Sequence, residues 1–534
     1  MRKKKEVEEL ISSFGKPKNQ SFPFHMIERY FRNKDNSKAF QVLSDKTCND
    51  LDFEELFMFT DRTSSKPGQQ YLYNRLRTIS PEKRNNDPEE RIIQRFTVDT
   101  DFRIRIQKLL SKLDKYEAYY ISSLFQEEHI KRPGWYFIVP LLSFTNVLLL
   151  LMLWITSQVF LVLLAVYIVN FGIHLWNKKN LNVYLDSMPE LLRLKFIADK
   201  LYREEALLQE INPGLPDSVK VIGQVGKRMA FFQMEAKIQS ELSGLFYLVS
   251  ELIKIMFLLE PLMLFGVLKR LDTRRAEIEN VFSFVGHIDM LCSIASLRKG
   301  LDTYCLPVIG KNDCTIKANK IYHPLVFDCV PNNIEVKGKS ILLTGSNMSG
   351  KTSFIRTVGV NMITGLTINT CFAESLTIPL ARIHSAIRIS DDLMNDKSYY
   401  FEEVQTIKDM IVNSVNGSRN LFLLDEIYKG TNTVERISAG KAVLSYLAGN
   451  GNIVFVSTHD MELTDLLSDE YDLYHFSEQV DEKNVDFDYK LKKGKLKNRN
   501  AIRILQINGY PEHIINEATL LSERLVSYKP SYHV

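Results

Sequence analysis

Residues 339–352 read Lys339-Ser-Ile-Leu-Leu-Thr-Gly345-Ser-Asn-Met-Ser-Gly350-Lys351-Thr352, and this stretch decides the fold of the C-terminal part of the chain. Its apolar run at 341–343 has the length and composition of a buried parallel strand. Two glycines bracket a tight loop, and Lys351 and Thr352 open the helix that follows. The spacing fits G-x-x-x-x-G-K-[ST], the P-loop pattern. It therefore predicts a strand, a phosphate-binding loop and a helix, in that order.

This loop predicts a site for ATP and Mg²⁺. Backbone N–H groups of such a loop, and the N-terminus of the following helix, present partial positive charge to phosphates. The Lys351 ammonium is expected to reach the β- and γ-phosphates, and the Thr352 hydroxyl is expected to bind Mg²⁺. The predicted nucleotide-binding residues of the loop are Gly345, Ser346, Asn347, Met348, Ser349, Gly350, Lys351, Thr352 and Ser353.

Two further apolar runs end in residues that suit catalysis. Residues 421–424 lead into Asp425 and Glu426, and residues 453–457 lead into Thr458 and His459. We expect Asp425 to hold Mg²⁺, directly or through water, and Glu426 to orient and polarise the attacking water. His459 is expected to sense the γ-phosphate, and the alternative is a structural histidine. The predicted catalytic residues are Glu426, Lys351 and His459.

Bulk composition restricts the class of protein. A length of 534 residues predicts several domains. The formal net charge of +4 does not by itself favour nucleic acid or an acidic partner. The six cysteines show no C-x-x-C spacing, so a zinc site or disulfide framework is not predicted and a reducing compartment is the simpler interpretation. No signal peptide is expected, since the first 30 residues lack a sustained apolar run.

Residues 135–176 contain no Asp, Glu, Lys or Arg. These 42 residues are about twice the roughly 20 that one membrane-spanning helix needs. A polar break, Thr156-Ser-Gln158, lies near the middle, and Lys131-Arg132 and Lys178-Lys179 flank the stretch. The pattern predicts a hairpin of two transmembrane helices in a multi-pass protein of the cytoplasmic membrane, with both flanks and the nucleotide site on the cytoplasmic side. The alternative is a pair of buried core helices.

The rest of the sequence before the predicted nucleotide site has mostly helical spacing. Residues 1–40 form a polar N-terminal segment, and residues 41–130 and 180–300 form two parts of an all-α core or lever, with 301–534 as the nucleotide-binding domain. The apolar run 255–268 contains Glu260 and Pro261, which favours a buried or interfacial helix over a third span. The predicted fold class is an α/β P-loop NTPase domain at the C-terminus, preceded by an all-α domain that a transmembrane hairpin interrupts.

Several motifs together resemble the MutS family of mismatch-repair ATPases. Gly345-Ser-Asn-Met-Ser-Gly350-Lys-Thr is similar to the family's Gly-Pro-Asn-Met-x-Gly-Lys-Ser loop, and Asp425-Glu-Ile-Tyr-Lys-Gly430-Thr-Asn-Thr433 resembles its Asp-Glu-x-x-x-Gly-Thr-x-Thr. Ser457-Thr-His459 resembles its strand-end Thr-His. Residues 391–403 are similar to its signature segment, and residues 500–518 to its C-terminal helix-turn-helix. The resemblance covers residues 315–522, and a weaker match at 61–70 extends it to the helical core.

The resemblance implies an ABC-type ATPase that uses ATP and Mg²⁺, forms a homodimer through its ATPase domains, and binds DNA, including mismatched DNA. It also implies that Ser398 of one subunit caps the γ-phosphate bound by the other, so Ser398 joins the predicted nucleotide-binding residues. The helix-turn-helix is implied to support dimerisation.

This sequence departs from the family pattern at the nucleotide and at the DNA end. Ser346 stands where the family usually has Pro, and Cys329 lies where an aromatic residue commonly stacks on adenine. Residues 1–40 are too short for the family's mismatch-reading domain, and no strand-rich DNA clamp is predicted within 180–300. Phe372-Ala-Glu374 and Phe476-Ser-Glu478 match the letters of its Phe-x-Glu wedge, but they fall inside the ATPase and are interpreted as coincidence.

Three functions are compatible with these sequence features. The sequence favours a membrane-anchored MutS-like ATPase, with DNA binding implied by the resemblance and a lipid bilayer around 135–176. The alternatives are a membrane-remodelling or transport-associated P-loop ATPase with no DNA role, and a scaffold that binds nucleotide without turnover. Transport is disfavoured because the hairpin carries no charged residue to mark a pathway. The basic run at 492–499 is interpreted as a solvated hairpin, with anionic headgroups or nucleic acid as alternatives.

Overall fold

The structure is a computed structural model that describes residues 2–81, 87–224, 244–310, 315–346, 348–388, 399–415, 417–480, 485–496 and 501–527. The chain divides into two compact units. The first, here called the helical unit, comprises Met1–Ser37, Thr60–Arg77 and Asn85–Gly300. The second, the mixed-sheet unit, comprises Lys38–Phe59, Thr78–Arg84 and Leu301–Val534. The prediction of a mostly helical N-terminal part followed by a mixed α/β part is confirmed.

The described residues of the helical unit contain α- and 3₁₀-helices. Residues 215–224 are also helical. The α-helices are Arg2–Ser13, Phe24–Ile27, Arg29–Arg32, Lys66–Arg77, Asp87–Val98, Thr100–Leu110, Ser123–Gln126, Ile138–Met152, Val159–Glu204, Ala206–Gln209, Gly244–Phe257, Leu259–Leu271 and Arg275–Lys299. Short 3₁₀-helices are Ser111–Leu113, Tyr116–Ile121, Gly134–Phe137 and Asp272–Arg274.

The core of the helical unit is built on the close approach of Lys66–Arg77 to Arg275–Lys299. A Cβ at Gly68 would lie 2.1 Å from Asp289 Oδ2, so a larger residue would displace the buried carboxylate. Asp289 accepts hydrogen bonds from the backbone N–H groups of Ser64 and Ser65 at 2.8 Å. Backbone N–H groups at the start of a helix have no carbonyl partner within the helix, and here the Asp289 carboxylate accepts their hydrogen bonds. Residues 65–68, Ser-Lys-Pro-Gly, thus begin a helix whose N-terminus is capped by an Asp far along the chain.

Three helical stretches among the described residues are long and apolar enough to cross a membrane, by length and composition: Gly134–Met152, Val159–Leu181 and Leu259–Lys299. Only 17% and 11% of the first two are buried, whereas 83% of the third is buried within the protein. The second stretch continues as one helix to Glu204, beyond the predicted end of the hairpin at residue 176. The helix ends where Glu205 adopts an extended backbone, with φ −157° and ψ 142°.

A six-stranded sheet is the centre of the mixed-sheet unit. Its order is Lys492–Lys493, Tyr471–His475, Ser340–Thr344, Ile453–Ser457, Asn420–Asp425 and Arg382–Ala386. All neighbours are parallel except the first pair. Buried-strand runs of the kind seen at 341–343, 421–424 and 453–456 are typical of parallel sheets covered on both faces. Helices of this unit are Asp45–Asp50, Phe53–Thr60, Lys351–Ile368, Tyr399–Ser414, Thr433–Ala448, Met461–Leu466, Ala501–Ile507 and Glu512–Ser527.

The other strands of the mixed-sheet unit form smaller sheets. One has the order Val308–Gly310, Ser375–Pro379, Thr315–Ile321 and Asn332–Lys337. Two antiparallel pairs join Gln41–Val42 to Thr78–Ile79 and Glu478–Val480 to Val485–Phe487.

Residues 38–59 lie in the mixed-sheet unit, although the sequence assigned 41–130 to the helical core. The Asp50 carboxylate accepts hydrogen bonds from Ser385 Oγ at 2.6 Å and from the backbone N–H of Arg388 at 2.8 Å. Leu56 packs in a buried cluster with Val360 and Phe372. Helical spacing predicted the helices but carries no information on which core they join, and that part of the domain prediction was wrong.

Candidate functional site

The predicted catalytic residues lie at neighbouring strand ends of the six-stranded sheet. Ser457 pairs in register with Leu343 on one side and with Asp425 on the other. The backbone N–H of Thr458 donates to Leu343 O at 3.0 Å, and that of Glu426 donates to Ser457 O at 3.0 Å. Since the carboxyl ends of parallel strands meet at one edge, three distant stretches of sequence come together there.

The glycine-bracketed loop has the backbone that its sequence requires. Gly345 has φ +153° and Gly350 has φ +105°. A Cβ at Gly345 would lie 2.7 Å from Ser349 Oγ and 2.9 Å from Phe476 O, so a side chain does not fit. Ser346 Oγ donates to Glu478 Oε2 at 2.7 Å. Asn347 lies outside the described residues, and Met348 is 82% exposed.

Lys351 is buried in the first turn of the helix that follows the loop. Its Nζ donates to the carbonyl oxygens of Gly345 and Ser346, each at 2.9 Å. Burial lowers the pKa of this ammonium, and the nearby Glu426 carboxylate opposes that shift. The contacts hold the cation over the loop, directly where the backbone N–H groups of such a loop would receive phosphates.

Thr352 and Asp425 form the predicted metal-binding pair. Thr352 Oγ1 donates to Asp425 Oδ2 at 2.8 Å. The other carboxylate oxygen of Asp425 accepts a hydrogen bond from Ser457 Oγ. A hydroxyl and a carboxylate oxygen at this separation suit a hard cation such as Mg²⁺, which prefers oxygen ligands.

Glu426 and His459 are in direct contact. His459 Nε2 lies 2.8 Å from Glu426 Oε1, and Lys429 Nζ lies 3.2 Å from Oε2. The hydrogen bond from His459 is the largest cause that lowers the pKa of Glu426 to about 2, from an ordinary value of 4.5. Glu426 also has a positive φ of 53°, which turns the chain at the strand end. The carboxylate therefore stays ionised at neutral pH.

A cavity of about 540 Å³ adjoins this cluster. Its wall includes Lys351, Thr352 and Glu426 at one end and Phe327, Cys329 and Tyr489 among the remaining residues. Phe327 is 91% exposed. The Tyr489 ring lies close to Gly350, where an added Cβ would meet its Cδ1 at 3.3 Å. Cys329 supplies no ring at the position where the resemblance implies one, and Tyr489 offers a ring beside the loop.

Tyr489 was missed by the sequence analysis, and the structure explains its position. The backbone carbonyl of Tyr489 accepts a hydrogen bond from Asn332 Nδ2 at 3.0 Å, and Asn332 Oδ1 accepts one from the N–H of Leu491 at 2.7 Å. An aromatic residue 137 positions beyond Thr352 carries no local signal in the sequence.

Ser398 lies outside the described residues, so its predicted place in the site stays a prediction. The helix Tyr399–Ser414 directly follows it. Within that helix, the buried Glu403 accepts a hydrogen bond from the backbone N–H of Tyr428. Burial raises the pKa of Glu403. The contact ties the helix to the turn that carries Glu426.

Both Phe-x-Glu matches involve buried rings. Phe372 is 0% and Phe476 is 1% exposed in the mixed-sheet unit, whereas a wedge that enters DNA must be accessible. In the basic run, Lys492 pairs with Asp488 and Lys495 pairs with Asp465. Lys497 and Arg499 lie outside the described residues. The described lysines that form these pairs agree with a solvated surface.

The two C-terminal helices present apolar side chains to solvent. Tyr510 lies between them, and Ile514, Leu520 and Leu521 are exposed on Glu512–Ser527. The described part of the predicted helix-turn-helix, residues 501–518, lies in a helical pair that continues to Ser527 and has an uncovered apolar face, while Asn500 lies outside the described residues. Such a face is suited to a protein contact.

The family comparison matches the same part of the chain. Residues 341–526 match the family model described as MutS domain V. Among the relatives, the DNA mismatch repair protein MutS of Fusobacterium nucleatum is 30% identical over 269 residues, covering 46% of this chain and 30% of that protein. The DNA mismatch repair protein MSH3 of Kluyveromyces lactis is 32% identical over 278 residues, covering 48% of this chain and 26% of the relative.

A third relative gives the same picture. The DNA mismatch repair protein MutS of Aquifex pyrophilus is 28% identical over 281 residues, covering 50% of this chain and 32% of the relative. The chain thus spans about a third or less of the length of the curated relatives that it matches. The family match coincides with the six-stranded sheet, its glycine-bracketed loop and the C-terminal helices, and this part of the chain is similar to the corresponding part of MutS proteins.

Proposed function

We propose that this chain is a membrane-anchored, Mg²⁺-dependent ATPase of the MutS family, which dimerises through its mixed-sheet units and acts on DNA. The observation that carries the ATPase proposal is the convergence of Lys351, Thr352, Asp425, Glu426 and His459 at one edge of the parallel sheet. The similarity to relatives that are named as DNA mismatch repair proteins supports the DNA part.

The residues present fit ATP and Mg²⁺. The left-handed glycines open a loop whose backbone N–H groups suit phosphates, and Lys351 lies over it. Thr352 Oγ1 and Asp425 Oδ2 would hold the metal, which supplies positive charge to the phosphates when bound. Tyr489 and the exposed Phe327 offer rings for the base in the same cavity.

Hydrolysis needs a base that holds the attacking water. The Glu426 carboxylate suits this role because it is ionised and can accept a hydrogen bond from water, and because it borders the cavity beside Lys351. His459 fixes one Glu426 oxygen at 2.8 Å, which orients the carboxylate. Lys351 would stabilise the negative charge that develops on the phosphoryl group.

The membrane and dimer parts rest on separate surfaces. Gly134–Met152 and Val159–Leu181 leave most of their apolar side chains uncovered, which supports insertion as a hairpin. The apolar face of Glu512–Ser527 supports dimerisation. A homodimer would also bring Ser398 of each subunit to the site of the other, as the family resemblance implies.

Glu426→Gln tests the ATPase proposal. The amide keeps the shape but cannot accept the proton, so we expect turnover to fall by about 10² to 10⁴ while ATP stays bound in a trapped dimer. Turnover is measured as phosphate release by the detergent-solubilised protein, and the dimer by size-exclusion chromatography with light scattering. Glu374→Gln, a partly exposed carboxylate that pairs with Lys320, is the matched control. Undiminished turnover in Glu426→Gln would remove Glu426 from its role.

DNA binding is tested by salt dependence. We expect the solubilised protein to bind mismatched and matched duplexes with an affinity that falls as salt rises, and differently with and without ATP. A slope near zero would count against phosphate contacts. Retained ATPase activity with no DNA binding would favour the membrane-remodelling alternative.

A further inference from the structure

A cluster of polar side chains lies between the two apolar hairpin helices and the helices Gly244–Phe257 and Leu259–Leu271. Its members, here called the hairpin cluster, are Asn146, Asn170, His174, Asn177, Glu251, Lys254 and Glu260. The side chains of Asn146, Asn170 and Asn177 are 0% exposed, and Lys254 and Glu260 are 6% and 2% exposed. Polar groups this deeply buried in apolar helices need partners, and the contacts show which helix supplies them.

The cluster closes a break between the two helices of residues 244–271. Leu258 has a left-handed backbone with φ 44°, and it is buried. The break leaves the carbonyl of Met256 available, and this oxygen accepts hydrogen bonds from Asn146 Nδ2 at 2.6 Å and from Asn170 Nδ2 at 2.7 Å. Broken backbone is tolerated at membrane depth where neighbouring helices satisfy the freed groups.

The two asparagines fix the depth of the break along the hairpin. Asn170 lies at the centre of Val159–Leu181, about 16 Å from either end at 1.5 Å per residue. Asn146 lies about 12 Å from the start of Ile138–Met152 and about 9 Å from its end. Both donors therefore place Met256 at the middle of the apolar hairpin.

Contacts on either side of the break lie towards the Lys178 end of the hairpin. Before it, Glu251 Oε2 is 3.5 Å from Lys178 Nζ and 3.7 Å from His174 Nε2. After it, Glu260 Oε2 accepts from Asn177 Nδ2 at 2.8 Å, and the Tyr136 hydroxyl donates to Pro261 O at 3.4 Å. Tyr136 and Lys178 belong to the two ends of the hairpin that its basic flanks assign to one side.

From these contacts we infer that residues 244–271 form a re-entrant helical hairpin, which enters the bilayer from the cytoplasmic side, turns at Leu258 near mid-depth, and contacts lipid acyl chains. The inference rests on the membrane part of the proposed function. It explains why Leu248, Val249, Leu252 and Ile253 are exposed, since lipid acyl chains would cover them. These four side chains lie on Gly244–Phe257, on the face away from the polar contacts. This apolar face is continuous with the uncovered hairpin that the helix packs against.

The polar arrangement agrees with that position. Lys254 lies 3.2 Å from Glu260 and also pairs with Glu251, and Lys178 lies 3.5 Å from Glu251, so both carboxylates of the hairpin cluster have a lysine partner within the protein. Charged residues at membrane depth face the bundle interior and pair in this way. A helix that lay only on a water-exposed surface would keep its charged side chains hydrated. Here the charged side chains of Gly244–Phe257 lie instead beside three buried asparagines of the two hairpin helices.

Quenching by brominated lipids tests the inference. The three native tryptophans are replaced by phenylalanine, and a single tryptophan is introduced by Leu252→Trp, by Leu148→Trp in the hairpin, or by Phe196→Trp on the exposed helix beyond it. Each full-length variant is reconstituted in phosphatidylcholine vesicles brominated at carbons 6 and 7 of the acyl chain. We expect Leu252→Trp to lose at least half of its fluorescence, as Leu148→Trp does, while Phe196→Trp loses little.

The outcomes separate this inference from the anchoring proposal. Quenching of Leu148→Trp with an unquenched Leu252→Trp overturns the re-entrant hairpin and leaves the anchor in place. An unquenched Leu148→Trp overturns the anchor and the inference with it. Acrylamide in the aqueous phase gives the converse readout, since a lipid-facing Trp at 252 is shielded from it. A folded helical content by circular dichroism is required of each variant, and Ile253→Trp serves as a second probe of the same face.

Discussion

The two units of the chain each hold a cluster of Lys, Glu and His in contact, and the clusters differ in what surrounds them. In the mixed-sheet unit, Lys351 and Glu426 border a cavity, and the side chains of Glu426 and its partner His459 are 25% and 40% exposed. In the helical unit, His174, Lys254 and Glu260 are at most 6% exposed and lie between apolar helices. The first cluster is open to a ligand, while the partners of the second are side chains and backbone of the protein itself.

This difference predicts different costs of substitution. Charges that border a water-filled cavity can be hydrated when a neighbour is lost, so their removal affects chemistry more than stability. A charge in a closed apolar site has no such substitute, and breaking a buried pair is strongly destabilising. Function and stability should therefore separate between the two clusters.

Lys254→Met should give the largest effect on stability. It leaves the buried Glu260 carboxylate without its cation, and we expect a loss of about 3–5 kcal/mol in the free energy of unfolding. The measurement is thermal unfolding in detergent, where a lower free energy of unfolding appears as a lower midpoint temperature. Lys351→Met, the matched change in the open cluster, should shift stability by about 1 kcal/mol or less.

A second substitution checks the cause. If an unpaired charge is responsible, Lys254→Met combined with Glu260→Leu should recover at least half of the loss, because the double variant buries no unpaired carboxylate. Additive losses in the double variant would instead assign the effect to packing and would break the comparison.

For catalysis, the order of the two variants should be reversed, so that Lys351→Met has the larger effect and Lys254→Met the smaller. Removal of a positive group aimed at a transferring phosphoryl group is expected to lower kcat by about 10² to 10³. Lys254→Met should leave turnover per folded molecule within about twofold, since its ion pairs with Glu251 and Glu260 lie in the hairpin cluster and not at the sheet edge. Both are measured as ATP-dependent phosphate release at a temperature where each variant is folded. A Lys351→Met protein with near-normal turnover would contradict the proposed site.

The same contrast explains how much of the molecule the sequence could predict. Lys351, Thr352, Asp425 and His459 follow buried-strand runs, and parallel strands bring their ends together, so local patterns predicted the site. The hairpin cluster joins Asn146 to Glu251 and Glu260 across about a hundred residues of helical sequence, with no spacing that marks it. Periodicity predicted the helices there, but the break at Leu258 and the partners of Met256 depend on tertiary contacts.

The assignment of elements to units shows a second limit. Residues 41–59 were predicted as part of the helical core, and they are largely helix, yet the Asp50 carboxylate accepts hydrogen bonds from the backbone N–H groups of Ile387 and Arg388 in the mixed-sheet unit. Tyr489 likewise reaches the cavity through Asn332 and not through any motif of its own. Sequence reasoning found residues whose chemistry a local pattern encodes. It missed those whose place is decided by a partner far along the chain.

Tyr489→Ala should have an intermediate effect on nucleotide binding. Loss of a stacking ring is worth about 1–3 kcal/mol per base, so we expect the KM for ATP to rise by about 10-fold with little change in kcat. Tyr489→Phe keeps the ring and should bind normally. Phe327→Ala is the competing variant, and a larger rise in KM for it than for Tyr489→Ala would move the base to the other ring.

His459→Ala gives the smallest expected effect, which is a shift in pH dependence. The His459 hydrogen bond is the largest cause that holds the pKa of Glu426 near 2, so its loss should move that pKa back towards the ordinary 4.5. A carboxylate with a lowered pKa stabilises the folded state fully above about pH 4.5, and this contribution is lost as pH falls towards about 2.

In the native protein, Glu426 therefore stays ionised throughout pH 4–8, and it does not set an acid limb of kcat/KM there. In His459→Ala, kcat/KM normalised to its value at pH 7.5 should fall by about half near pH 4.5, because the proposed base becomes protonated. Lys429→Ala, which removes a weaker contact at 3.2 Å, should move the limb less. Identical profiles for His459→Ala and the native protein would show that the open cluster tunes its carboxylate without His459, and the two clusters would then differ in exposure alone.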